Sequence, residues 1–304
     1  MVNGKTTDAQ IDVLPVEQKN TAIQYLDLMG KPEQNIVYQG SPGKNDIVQP
    51  YIYDNLGRES QKYLAYTDNG DNSFKPTAIT NQTAFYQNLK DDNRSYTQTE
   101  FEASPIGRPI KQYHIGSLYH PTVSDPSFNS QVQYGTNVIN EIIRWDYDAT
   151  TGKATGTSFY PTNSLFVTTS IDAGLMKTKT YKNQGGQVVC SKVQKKYNDE
   201  STYLTTYYVY DDFGNTRFIV PPMAVNSLAQ VSNVLTWNDS FCQNWLFAFQ
   251  YDIRQRPIAK IKPNGGITNV VYDPLDRPIL TQDAVQAVSN EWSFINRDYA
   301  LEIN

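Results

Sequence analysis

Runs rich in β-branched and aromatic residues recur along this chain, with short polar segments between them. TTYYVY (205–210) and TRFIV (216–220) are two such runs, and both read as strands. Between them, DDFGN supplies an aspartate able to bond backbone two residues on and a glycine that accepts a positive φ, which are turn requirements. The three pieces together predict a β-hairpin. LMKTKTYKNQGGQVVCSKVQ (175–194) predicts a second hairpin turning at Asn183 to Gly186, and IRWDYDATTGKATGTSFY (143–160) a third around Thr150 to Gly152. Helix signal is scarce. One candidate follows Pro222 through MAVNSLAQV, and a short turn of helix follows Asp239-Ser240 into FCQNW; both read as insertions on a β frame. The proline-spaced stretch Tyr119 to Phe128 breaks strand periodicity. It suggests a division into an extended arm (1–20), an N-terminal β region holding the first repeats (21–124) and a repeat region (125–304).

The turn phrase recurs, which bears on the fold more than any single hairpin. Tyr53, Asp54, Gly57 and Arg58 spell Y-D-x-x-G-R in full, and Tyr210, Asp211 and Gly214 repeat it with the arginine displaced to Arg217. Tyr251, Asp252 and Arg256, then Tyr272, Asp273 and Arg277, keep the ends and replace the glycine. Weaker echoes are Tyr25-Asp27-Gly30-Lys31, Phe101-Glu102 with Gly107-Arg108, Tyr147-Asp148 with Gly152-Lys153, and Tyr181 with Gly185-Gly186. The interval between the last two phrases is 272 − 251 = 21 residues and the others are longer and uneven, so the repeat is degenerate. Each Tyr should close a strand and lay its ring across a neighbour. Each Arg, opening the next strand, can reach a carboxylate on an adjacent hairpin. These are structural roles, and the fold class they predict is mainly β, built of antiparallel hairpin repeats with one or two short helical insertions.

Composition agrees. The 304 residues include 22 Tyr, 12 Phe and 4 Trp, a load that suits strands bridging a packed face and a wet edge. A net charge of −5 argues against a phosphate-backbone binder, so no nucleic-acid partner is expected. Cys190 and Cys242 fit two unlinked buried thiols better than one disulfide. The N-terminus shows no basic flank followed by an apolar core, so no Sec-type signal is visible, and no run approaches the length of a membrane span.

Candidate chemistry is thin. His114 and His120 lie six apart with no Asp, Glu or Cys cluster beside them, and read as hydrogen-bonded loop histidines. The acid pairs Asp211-Asp212, Asp91-Asp92 and Asp146 with Asp148 each fall in a turn, where Asx chemistry accounts for them without a reaction or a calcium ion. Gly40 to Lys44 resembles only the end of a phosphate-cradling loop. Arg58, Arg108, Arg217, Arg256 and Arg277 could be read as an anion-binding row, but their spacing from Tyr-Asp favours structural ion pairs. Exposed tyrosines on a β surface also leave a carbohydrate-binding module open. No catalytic residue, metal ligand or cofactor is assigned, and a non-enzymatic protein is expected.

YDNLGRE, YVYDDFGN and VYDPLDRPILTQD resemble the YD-repeat, or RHS-repeat, proteins, and in particular the N-terminal region of the large forms common in Bacteroidetes. Residues 20–64 look like the domain that opens those chains, and 249–283 resembles the repeats that follow. The resemblance implies a curved β-sheet or partial β-shell, similar to the walls found in insecticidal toxin complexes and polymorphic toxins, with a C-terminal toxin payload or further shell repeats as partner. The sequence departs from the family by lacking its self-cleaving DPxG core; Asp273-Pro274-Leu275-Asp276 copies only the DP. WSFINRDYALEIN (292–304) stands where a further repeat belongs, with Trp292, Phe294 and Asp298 roughly in register. The implied function is a toxin-associated shell or scaffold segment. A stand-alone effector or cargo of a secretion or contractile-injection apparatus is the alternative. Either implies a protein made in the cytoplasm and then secreted or delivered by a route without a visible signal peptide.

Overall fold

The computed structural model describes residues 8–15, 18–121, 129–199 and 201–295. Most of the boundary stretch (122–128), part of the N-terminal arm, and Asp298 lie outside the described residues. The chain divides into two compact units, one of residues 1–132 with 171–175 and one of 133–170 with 176–304.

In the first unit, α1 (Asp8–Asp12) precedes β1 (Ala22–Leu26), β2 (Pro32–Val37), β3 (Asp46–Pro50), β4 (Gln61–Tyr63) and β5 (Tyr66–Asp68). Helix α2 (Ala78–Lys90) follows, then β6 (Tyr96–Phe101), β7 (Pro109–Tyr113) and the first half of β8 (Asn129–Thr136), whose residues from 133 on fall in the second unit. One antiparallel sheet runs β1-β2-β3-β5, and β4, β6, β7 and β8 pair in succession in another. The core of the first sheet is small: Ile36, Val48, Tyr66 and Ala78, with Tyr25, Phe85 and Tyr86 against it. Helix α2 was not expected from sequence. Its surface carries two asparagines and two threonines, poor helix formers, and it is held by its packing on β3 and β5. Buried Gln82 ties it down by donating to the carbonyls of Leu64 and Ser95.

The second unit contains β9 (Ile143–Asp148), β10 (Lys153–Phe159), β11 (Phe166–Ile171), β12 (Lys177–Lys182), β13 (Val188–Gln194), β14 (Tyr203–Tyr210) and β15 (Thr216–Val220). After α3 (Pro222–Val225) come β16 (Val234–Thr236), α4 (Ser240–Trp245), β17 (Phe247–Tyr251), β18 (Pro257–Lys262), β19 (Gly266–Tyr272) and β20 (Pro278–Gln282), then α5 (Ala284–Ser289) and β21 (Ser293–Phe294). Strands β12 to β15 and β17 to β21 form a run in which each pairs antiparallel with the next. Strand β16 leaves this run and joins β10 and β9 in a separate three-stranded sheet. The two sheets share a core: Trp145, Ala154 and Leu235 meet Tyr181, Tyr207, Val209 and Phe218.

The fold is mainly β and antiparallel, as expected. Both helical insertions foreseen are present as α3 and α4, and α4 is capped by the Asp239 carboxylate accepting from the Cys242 N–H. Three further short helices join them among the described residues, α5 under a full capping box built by Asp283 and Gln286. Cys190 and Cys242 are buried and unlinked, and desolvation pushes their thiols up to about 12 and about 11.

Candidate functional site

What recurs in this protein is one turn, and its geometry follows from five residues. Asp211 begins a three-residue loop: its own N–H donates to the carbonyl of Asn215, and the Gly214 N–H donates back to the carbonyl of Asp211. Gly214 sits at φ 86°, the left-handed position that closes such a loop as a bulge. Asp211 Oδ1 accepts the N–H groups of Phe213 (3.0 Å) and Asn215 (2.8 Å). A carboxylate therefore satisfies two donors that the turn leaves free.

The same set repeats at Asp54 (Leu56 and Arg58), Asp252 (Arg254 and Arg256) and Asp273 (Leu275 and Arg277), each at 2.9 Å. Asp27 in the weaker echo does likewise with Met29 and Lys31. Where glycine is replaced, Gln255 and Asp276 hold the same left-handed conformation at φ 62° and 63°. The residue just before the left-handed position is apolar and exposed in several turns: Met29, Leu56, Ile106, Phe213 and Leu275.

Each arginine turns back to its own aspartate. The Nε of Arg58, Arg256 and Arg277 donates to Oδ2 of Asp54, Asp252 and Asp273 at 2.8, 2.7 and 2.6 Å. The expected reach to an adjacent hairpin is met at Arg256, whose Nη1 also donates to Asp276 Oδ1 at 2.6 Å. The displaced Arg217 still reaches Asp211 Oδ2 at 2.8 Å, because a shift of two residues returns a strand side chain to the same face. Glu102 and Arg108, a faint echo in sequence, form a two-pronged pair at 2.9 and 2.8 Å.

Lateral contacts come from the tyrosines. Tyr53, Tyr210, Tyr251 and Tyr272 donate their hydroxyls to the carbonyls of Pro32, Val188, Thr216 and Pro257, at 2.9 to 3.1 Å. In every case the acceptor lies five residues after the Asp or Asn that opens the preceding turn. The basic residue of one turn also lies over the aromatic ring of the next: Lys31 over Tyr53, Arg58 over Phe101, Arg217 over Tyr251 and Arg256 over Tyr272. The ladder is thus real in both units, but its rungs between hairpins are hydroxyl–carbonyl bonds and ring stacking, while most ion pairs stay within a hairpin.

Electrostatics match this division. The Arg58 N–H and guanidinium hold Asp54 below the ordinary carboxylate range, and Arg256 does the same for Asp252. Burial alone would raise Asp211; hydrogen bonds from Asn215 and Arg217 outweigh it and hold the carboxyl low. Glu102 is pulled to about 2, chiefly by Arg108.

Several of the other candidates make structural contacts. Asp92 accepts from Arg94 and Ser117, Asp148 from Thr150 and Thr151, and Asp146 pairs with Arg144. The ring of His114 meets Tyr119 edge-on. Among the described residues, no group of three His, Cys, Asp or Glu is placed to hold a metal, and no helix is long and apolar enough to cross a membrane.

Comparison with known proteins adds a fold and a partial family match. Residues 1–133 match DUF6443, a domain of unknown function. No curated protein matches the sequence. Among solved structures, TcdB2-TccC3-TEV matches with TM-score 0.55 at 16% identity over 90% of this chain. TcdB2-TccC3-Cdc42 matches with TM-score 0.53 at 16% identity over 87%, and TcdB2-TccC3 without its hypervariable C-terminal region with 0.50 at 16% over 87%. The chain spans only 12%, 11% and 11% of those chains. At this identity the likeness is one of fold.

Proposed function

We propose that this chain is a non-enzymatic structural segment of YD/RHS type, of the large Bacteroidetes form, and that it makes part of a β-wall that encloses or helps deliver a toxin. The observation that carries the reading is the lateral rule: four turns present a carbonyl at the same fixed position to the tyrosine of the next. A device of that kind adds hairpins side by side without new chemistry, which a wall needs and an active site does not. Every carboxylate of the repeat phrase is committed to backbone N–H groups and an arginine, which leaves none placed for acid–base work. The fold match to about an eighth of a far longer chain supports the same reading. The partner is then a payload or further wall repeats, and delivery occurs outside the producing cell.

The test is the intact mass of the endogenous protein, captured from cells and culture fluid with an antibody to residues 18–34. A much heavier chain is expected. A mass near 34.5 kDa together with co-purified injection-particle proteins would overturn the wall reading and make the chain cargo.

A further inference from the structure

The strand run β12 to β15 and β17 to β20 has two faces, and only one of them is packed against the small sheet. Val209, Phe218, Val220, Ala248 and Ile261, each at most 2% exposed, point into the core shared with that sheet. Side chains alternate along a strand, so Ile219, Phe247, Phe249 and Lys260 take the other face. The apolar residues among these neither belong to the core nor pack against it. Val193 and Leu204, paired across β13 and β14 on the same face, are each 43% exposed. A contiguous apolar surface of this kind marks a contact site.

Charge narrows what fits there. None of these strands contains an aspartate or a glutamate, in a chain whose net charge is −5. Phe249 stands directly opposite Lys260, and Phe247 and Lys262 lie two residues further along the same two strands. Among the described residues neither lysine meets a carboxylate. A second copy offering the same face would add lysine and no acid, so the surface is not built to pair with itself. An apolar group set on each phenylalanine and a carboxylate set on each lysine suit an extended segment, whose residues i and i+2 lie about 7 Å apart on one side. We propose that this face docks an extended acidic segment of another protein, in which apolar residues and Asp or Glu alternate at every second position. Such a surface serves a free-standing chain as well as one joined into a wall.

Fluorescence anisotropy with the full chain and two labelled peptides tests this, one repeating Val-Thr-Glu-Thr and its counterpart Val-Thr-Lys-Thr. The Glu peptide is expected to bind saturably, about tenfold more tightly than the Lys peptide, and to weaken as salt is added. Lys260→Glu combined with Lys262→Glu should reverse that preference. Phe249→Thr should weaken the Glu peptide about three- to tenfold, with circular dichroism confirming that the variants fold. If the Glu peptide does not bind the wild-type chain, the face is no site for an acidic segment. An unchanged preference in the folded charge-reversed variant would equally overturn the proposal, because the peptide then binds elsewhere.

Discussion

The turns at Asp211 and Asp273 share a backbone, a phrase and an Asp–Arg pair, yet their surroundings differ. The Asp211 and Arg217 side chains are 3% and 16% exposed; those of Asp273 and Arg277 are 12% and 37%. The cause lies in the small sheet β9-β10-β16. Its Tyr147 ring lies 5.0 Å from the Arg217 guanidinium, and Tyr251 of the next hairpin lies 5.0 Å away on its own account. The same words therefore carry different weights: near the small sheet the pair belongs to the core's margin, and towards the end of the strand run it is a surface clasp. A buried pair is costly to break because the surviving partner is stranded, whereas an exposed one is replaced by water.

The sharpest way to break this comparison is Asp211→Ala against Asp273→Ala. The first strands Arg217 and frees two turn N–H groups, and should cost about 3 kcal/mol. The second should lower the denaturation midpoint by clearly less. All four tryptophans, Trp145, Trp237, Trp245 and Trp292, lie in the second unit, so urea unfolding followed by their fluorescence reads that unit alone. Equal shifts would mean that burial does not set the weights. Next in size is Arg217→Lys, which keeps the charge but loses the Nε bond and the planar stack on two rings; a loss of about 1–2 kcal/mol is expected by the same measurement.

Acid should unfold the ladder through these carboxylates. Asp54, Asp211, Asp252 and Asp273 are held below their ordinary range in the folded chain. A depressed folded pKa gives stability that is present above the unfolded value, about 4, and lost as pH falls through the folded one. Urea midpoints should be flat from neutral pH to about 5 and fall steeply towards about 2. Asp211→Asn should make that fall shallower, since it removes one titrating group. An unchanged slope would detach Asp211 from acid stability.

The hairpins were legible because turn chemistry is local: DDFGN and its relatives state the Asp acceptor and the left-handed residue within five positions. Helix α3 was announced by Pro222 and α4 by Asp239 for the same reason. Helix α2 was not, since its polar sequence forms a helix only against β3 and β5. The bond each Arg makes to its own Asp was not foreseen, although Arg256 also makes the expected reach to Asp276, because a strand opening points one way whether its acceptor is its own Asp or a neighbour's, and only the three-residue loop brings Asp Oδ2 within reach.

The smallest effect sharpens the comparison within the repeat itself. Gly214 accepts φ 86° freely, while Gln255, at the same position of the next turn, holds φ 62° with a Cβ in place. Left-handed backbone costs an ordinary residue roughly 1 kcal/mol, and glycine escapes most of it while paying some unfolded-state entropy. Gln255→Gly should therefore stabilise the second unit by about 0.5 kcal/mol. Gly214→Ala should destabilise it, and by more, because the new Cβ would also sit 3.0 Å from Gln187 Nε2. Asp276, though equally strained at φ 63°, should not follow Gln255. Its carboxylate receives Arg254 and Arg256 from the neighbouring hairpin, so Asp276→Gly trades relief of backbone strain for loss of a cross-hairpin clasp. If Gln255→Gly and Asp276→Gly stabilise equally in urea melts, that clasp contributes nothing, and the hairpins at this end are held by the backbone pairing of β18 with β19, the Tyr272 hydroxyl, ring stacking and the arginine bonds to the Asp273 and Pro274 carbonyls.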